Sequence, residues 1–390
     1  MGIFKNGPHF DGKGLAASVA LVKAGATVVG SPPLRSPGLS GYPACDAQVQ
    51  SLAKTLWGQT GESATITTRR YGLGQVIFGG ELDKQINDLY PEYELTAAIL
   101  KQMQVHADFE ADQAVRYTHR SSAGWDIYFV ANKTADPEKT KAVFRSAKGA
   151  PELWDAITGE MRKLPQFKVE GSQTNITLQF EPYQSYFIVF HTGRVAKPIA
   201  NKDNFPVFNK IETLSGPWQI SFDQKRGGPA KTTFNELSDW TKSPVEGIKY
   251  YSGIAVYKKE FNLQANVSIA HGKIYLDLGD IKNLARVKLN GKDLGVIWTA
   301  PWHVDISSAI KQGNNQLDIE VANLWVNRLI GDEKLPDDGI KDDKWPDWLI
   351  KGLPRPSGRI TFSTFHPYNQ NSPLFKSGLL GPVTLQQSSF

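Results

Sequence analysis

Along the first hundred residues the apolar positions recur at helical spacing, broken by short apolar runs. In KGLAASVALVKAGATV, residues 13 to 28, Leu15, Val19 and Val22 fall on one helical face, and Gly25 is placed to cap the C-terminus. The run TVVGSPP then reads as a buried strand closed by prolines. CDAQVQSLAKTLWG predicts a second helix, with Val49, Leu52, Ala53 and Leu56 on one stripe and Gly58 at its end. RRYGLGQVIFGG predicts a glycine turn and a strand, and residues 86 to 105 a last helical stretch. Alternation of strand and helix implies an α/β unit with a parallel sheet. The strands are too few to complete one, so residues 1–105 are expected to form a partial α/β segment.

From about residue 106 the period shortens to two. AVRYTHRSS, GWDIYFVANKT, AVFRSA, ELWDAITGEMRKL and TNITLQFEPYQSYFIVFH are short alternating segments split by turn residues, the pattern of a β-sandwich over 106–195. The period is lost over residues 191 to 210, which contain two prolines, and a linker is expected at 196–210. Strands return over 211–390: GPWQISFD, GIAVYKKEFNL, KIYLDLGDI, ARVKLNGKDLGVIW, NQLDIEVANLW, GRITFSTF and LLGPVTLQ. Asn290–Gly291 between alternating runs predicts a type I′ hairpin, since both central residues need positive φ. The expected fold class is mostly β and multidomain, ending in a jelly roll.

Composition narrows the function classes. Net charge is +5, from 44 basic and 39 acidic residues with no basic block or basic helix, which does not suggest nucleic acid. A single Cys excludes an internal disulfide framework and a Cys-based zinc cluster. No apolar run approaches the roughly 18 residues of a membrane span. MGIFKNGPHF lacks the apolar core of a signal peptide. Ten Trp residues among 11% aromatics stand out, because Trp both fills cores and stacks on sugar rings.

Several motifs invite chemistry and carry little of it. Gly72-x-Gly74 precedes its strand, whereas a dinucleotide fingerprint follows one and opens a helix, so a turn is expected here. Cys45 opens a predicted helix, but no G-x-C-x-G elbow exposes it and Asp46 beside it opposes a thiolate. The histidines, at 9, 106, 119, 191, 271, 303 and 366, show no H-E-x-x-H and no close pairing. Asp337, Asp338, Asp342 and Asp343 offer hard oxygens to calcium, but not in the EF-hand order. Paired carboxylates would serve glycoside hydrolysis, yet no spacing among the 39 acids singles out two.

The longest signal is LARVKLNGKDLGVIWTAPWHVDISSAIKQGNNQLDIEVANLWVNRLIGD. It carries Leu289, Asn290, Gly291, Gly295, Pro301, Asp305, Ile306, Gly313, Asn315, Leu317, Val321 and Asn323 in the order found in the sugar-binding, galactose-binding-like jelly roll of family 2 glycoside hydrolases, which it resembles. The continuation WVNRLIGD, with RPSGRITFSTFHPY and SGLLGPV, resembles the C-terminal end of family 106 α-L-rhamnosidases. GATVVGSPPLRSPGL, YPACDAQVQSLAKTLWG and RRYGLGQVIFGGEL resemble the amidotransferase-like domain of those enzymes, and WDIYFVANKT to PYQSYFIVF the sandwich after it. The resemblance implies inverting hydrolysis of terminal α-L-rhamnose, a rhamnose-containing glycan as partner, and a periplasmic or secreted bacterial location. It also implies that the catalytic carboxylates and calcium sit on a (β/α)8 barrel absent from this sequence. No catalytic residue and no metal ligand transfers to this chain, and no cofactor site is identifiable in it. A stand-alone carbohydrate-binding or domain-docking protein is the alternative.

The stretch NLWVNRLIGDEKLPDD, 323 to 338, remains. An alternating strand runs into a Trp, two Asn and an Arg, then into an expected turn at Gly331–Asp332. Trp325, Asn327 and Arg328, with Trp345 and Trp348 in the acidic loop, are the candidate substrate-binding residues. Trp stacks on a ring's C–H face, and Asn and Arg donate to hydroxyls. The same residues also read as a Trp in the core with Asn and Arg satisfying turn backbone, or as a tie to a neighbouring domain.

Overall fold

A computed structural model describes residues 2–3, 11–58, 63–82, 93–193, 197–199, 202–265, 267 and 272–389. His9, His271 and residues 86–92 of the last expected helical stretch lie outside them. The chain divides into two compact units, 1–106 and 107–390.

In the first unit, Asp11 caps the helix Gly12–Lys23 by accepting from Gly14 N at 2.8 Å. Leu15 and Val22 on this helix are fully buried with Val49, Ala53 and Leu56 of the helix Ala44–Trp57, which ends on Gly58 in the left-handed conformation. A third helix spans Tyr93–Gln102. Gly2–Ile3, Thr27–Val29 and Gly74–Phe78 pair in parallel. Thr67–Tyr71 adds an antiparallel edge strand, so the sheet is not wholly parallel as the alternation implied. The cause is the glycine turn itself. Gly72, at φ 61°, folds the chain straight back, and Gly74 passes so close to the turn after the first helix that a Cβ would lie 2.1 Å from Ala26 O. The two glycines serve backbone geometry.

The second unit opens with a β-sandwich. One sheet runs Met161–Lys163, Pro151–Trp154, Ser185–His191, Trp125–Asn132 and Val115–Ser121; the other Lys168–Glu170, Gln173–Phe180, Glu138–Phe144 and Phe109–Ala111. Strand alternation sends Tyr128, Val130, Ile176, Leu178, Ile188 and Phe190 into the shared core. Asp126 is buried there with its charge satisfied: Ser146 Oγ donates at 2.6 Å, and Lys148 and His119 each lie at 3.1 Å.

The jelly roll follows. Its six-stranded sheet is ordered Thr232–Phe234, Trp218–Ser221, Ile254–Leu263, Gly313–Ala322, Leu284–Leu289 and Lys292–Ile297; its four-stranded sheet Val207–Thr213, Thr384–Ser389, Ile274–Asp277 and His303–Asp305. Asn290 and Gly291 have φ of 52° and 80°, as a type I′ turn requires. Between the sheets Trp240 Nε1 donates to Tyr257 Oη at 2.6 Å, and that oxygen accepts from Leu379 N at 3.2 Å. Burial pushes the Tyr257 phenol well above its usual pKa.

Two expected features differ. Val207–Thr213, at the end of the expected linker, is a strand pairing with the C-terminal Thr384–Ser389. Phe205 just before it packs in the sandwich core. As an edge strand it has one partner and few inward residues, so its alternation is faint. GRITFSTF is no strand: it lies in an irregular excursion between Gly313–Ala322 and Gly378–Gly381, and side chains rather than a sheet neighbour take its amides.

Candidate functional site at the end of the jelly roll

The strand Gly313–Ala322 does run into the polar stretch, but Gly331–Asp332 is no turn. Val326–Asp332 forms a short helix that closes the end of the jelly roll. Gly331 allows this, because a Cβ there would lie 2.7 Å from Tyr250 Cγ. Asp332, 1% exposed, points inward, and its Oδ2 accepts from Ile360 N at 2.9 Å, Thr361 N at 2.7 Å and Thr361 Oγ1 at 2.7 Å. One carboxylate thus replaces a strand partner for residues 360–361.

Around it lies a set of arginine–carboxylate pairs. Arg328 Nη2 stands 2.9 Å from Asp332 Oδ1 across one helical turn. Arg355 grips Asp338 with Nε and Nη2, both at 2.8 Å, and donates from Nη1 to Arg359 O and Thr361 O. Arg359 reaches Glu333 at 2.9 Å and the Leu335 and Pro336 carbonyls. His366 Nδ1 lies 2.8 Å from the same Glu333 oxygen. The Arg355 fork, ahead of a smaller cost of burial and a bond from Ser357, holds the Asp338 carboxyl down to about 2. These pairs brace an excursion of some fifty residues with very little regular structure of its own.

Among the sequence-predicted residues, Asn327 and Arg328 are 1% and 9% exposed. Asn327 Nδ2 donates to Phe375 O and Ser377 Oγ, and its Oδ1 accepts from Phe375 N at 2.8 Å. Its amide ties the helix to the returning chain, and Arg328 turns inward to Asp332, its buried Nε without a hydrogen-bond partner. The expected polar surface made by these two is therefore corrected to an internal clasp. The aromatics do reach solvent. Trp325 is 47% exposed, with the Arg226 guanidinium 4.9 Å from its ring centre. Trp345 is half-exposed and stacks on Phe362. Trp348 is partly covered; its Nε1 donates to Asp338 O and Arg355 lies over its ring at 5.0 Å. Asp338 is committed to Arg355, and no group of three or more His, Cys, Asp or Glu suited to a metal occurs among the described residues. Cys45 lies in the first turn of its helix, half-buried, 3.9 Å from Asp46 Oδ1.

Besides the charged side chains of residues 341–351, this end exposes a set of large apolar ones. Ile254 and Leu284 lie directly across from Ala322 in the two neighbouring strands, and both point to solvent. Leu324, Trp325 and Phe375 follow beside them, and Leu349, Ile350, Leu353 and Phe365 are exposed along the excursion. Sequence reasoning missed Asp332, Arg355, Arg359 and Glu333. The doubled arginine of RPSGR was the one available signal.

Comparison with known proteins agrees with the resemblance. Residues 10–169 match the profile of the alpha-L-rhamnosidase family, glycoside hydrolase family 106, and residues 250–348 that of the glycosyl hydrolase 2 galactose-binding domain-like family. The solved rhamnosidase of Novosphingobium sp. PP1Y superposes over 96% of this chain with a TM-score of 0.72 and 30% identity. A Formosa agariphila protein that carries a provisional beta-glucuronidase name is 43% identical over 176 residues, 44% of this chain. The chain spans 32% of the solved rhamnosidase and 15% of the Formosa protein. The resemblance to rhamnosidase-type glycoside hydrolases, the mostly β fold and the galactose-binding-like domain therefore hold.

Proposed function

We propose that this chain is the accessory region of a rhamnosidase-type glycoside hydrolase, and that the end of its jelly roll docks on the catalytic portion of a longer polypeptide. Inverting hydrolysis of terminal α-L-rhamnose is assigned to that portion, as is any calcium. The front unit is assigned as part of an amidotransferase-like domain. One observation carries the reading: the Asn327 amide and the Arg328–Asp332 pair face inward and are engaged there, while Ile254, Leu284, Leu324, Trp325 and Phe375 stay exposed. Sugar recognition needs free polar groups beside a stacking ring, whereas a domain interface needs an apolar centre on a rigid support. The share of the solved rhamnosidase left unmatched supplies a natural occupant.

The test is titration of the chain against a rhamnosidase catalytic portion prepared without the region matched here. Association is expected, and Ile254→Lys or Phe375→Asp, both at exposed positions, should weaken it about tenfold or more while leaving the melting temperature unchanged. Absence of association, or association indifferent to both substitutions, would count against docking at this face.

A further inference from the structure

A second concavity lies away from that end, within the second unit, between the sandwich and the jelly roll. It is an open cleft of about 960 Å³. That is the upper end of the roughly 300–1,000 Å³ of small-molecule sites, room for more than one sugar ring. One wall is the sandwich's 155–160 and 181–186 segments; the other is the jelly roll's 294–305 segment with Lys273 and Tyr275.

Two large rings stand out into this space. Tyr183 is 59% exposed and Trp298 is 56% exposed. Tyr183 has φ of 57°, a conformation non-glycine residues rarely adopt, and is held there by its own N–H donating to Thr134 O at 3.0 Å. Nothing in the core requires the ring, so the turn keeps a strained Tyr projecting into the cleft. The jelly-roll side is a triangle of Phe208, Tyr275 and His303, with ring centres 5.1–5.2 Å apart. Burial pushes the His303 imidazole below its usual pKa, so it faces the cleft as a neutral donor and acceptor.

The polar groups set the ligand's charge. Four carboxylates line the cleft, Asp155, Glu160, Glu181 and Asp305, against two cations, Arg162 and Lys273. Lys273 is spent on Asp305 at 3.3 Å, and Arg162 donates to Asn204 O. Asp155 closes its own turn by accepting from Ile157 N at 2.8 Å. Among the described residues the Glu160 and Glu181 carboxylates have no hydrogen-bonding partner, so both are free to accept from hydroxyls.

We infer that this cleft is a binding site for a neutral oligosaccharide, with Trp298 and Tyr183 stacking on sugar faces and Glu160 and Glu181 accepting from hydroxyls. A uronate would meet like charge on the sandwich wall, where Glu160 and Glu181 are unpaired. The saccharide class rests on the carbohydrate-active reading above; the cleft and its free groups do not.

The experiment is an array of neutral and uronate-containing oligosaccharides probed with the full chain, then titration of the bound neutral compound against variants. Neutral oligosaccharides should be retained in preference to tetragalacturonate. Trp298→Ala and Tyr183→Ala should each weaken binding about tenfold, as loss of a central contact residue does. Melting temperatures should hold, because both rings are more than half exposed. Ile254→Lys, at the docking end, should leave saccharide binding untouched, which separates failure of this site from failure of the docking reading. Retention of no neutral oligosaccharide, a preference for uronates, or equal binding by both ring variants would overturn the inference.

Discussion

At the scale of single residues, buried charge is placed where regular structure is missing. Asp332 supplies three acceptor contacts to residues 360–361, and the Asp338–Arg355 pair pins the loop beside them. Breaking a largely buried pair strands the partner's charge, so Asp338→Ala should cost on the order of 3 kcal/mol, measured by chemical denaturation. The linkage has a definite sign. The folded-state pKa of Asp338 lies below the unfolded value of 3.8, at about 2. Its contribution is therefore complete above about pH 4 and fades as pH falls toward about 2. Wild-type melts should show that acid-side loss, and Asp338→Ala should flatten it. Asn327→Ala leaves the Phe375 N–H and carbonyl without their partner, at a cost of roughly 1–3 kcal/mol. A change below about 0.5 kcal/mol would return Asn327 to the surface role that composition suggested.

At the scale of elements, periodicity was legible and its interruptions were not. Leu15, Val22, Val49, Ala53 and Leu56 were readable as helix faces because they stand three, four or seven residues apart on their helices, and all five are fully buried. The Asn290–Gly291 turn was readable because its φ values admit few residue types. GRITFSTF has strand composition, yet Asp332 captures its amides from 28 residues away, a pairing no local window contains. The helix Val326–Asp332 was hidden for a related reason. Gly331 reads as a turn residue, and only Tyr250, brought close by the fold, shows that it is there for close packing. Gly331→Ala should accordingly destabilise by roughly 1–3 kcal/mol through overpacking against Tyr250. An unchanged or raised melting temperature would mean the helix has room to move.

At the scale of the whole molecule, the two β-domains of the second unit are well supplied with buried cores, and the site candidates lie on their surfaces rather than inside them. The family resemblance was legible because turn glycines, the L-N-G hairpin and the V-x-N strand end are local. The docking face was not, since its apolar row is assembled from three strands, at Ile254, Ala322 and Leu284. The cleft was not either, since its walls come from two separate domains that no local window spans. The central claim is that this region supports glycoside hydrolysis without performing it. The most direct measurement is release of aryl alcohol from an aryl α-L-rhamnoside by the purified chain. No turnover above the uncatalysed rate is predicted; turnover abolished by a single Asp or Glu substitution within residues 1–390 would contradict the account.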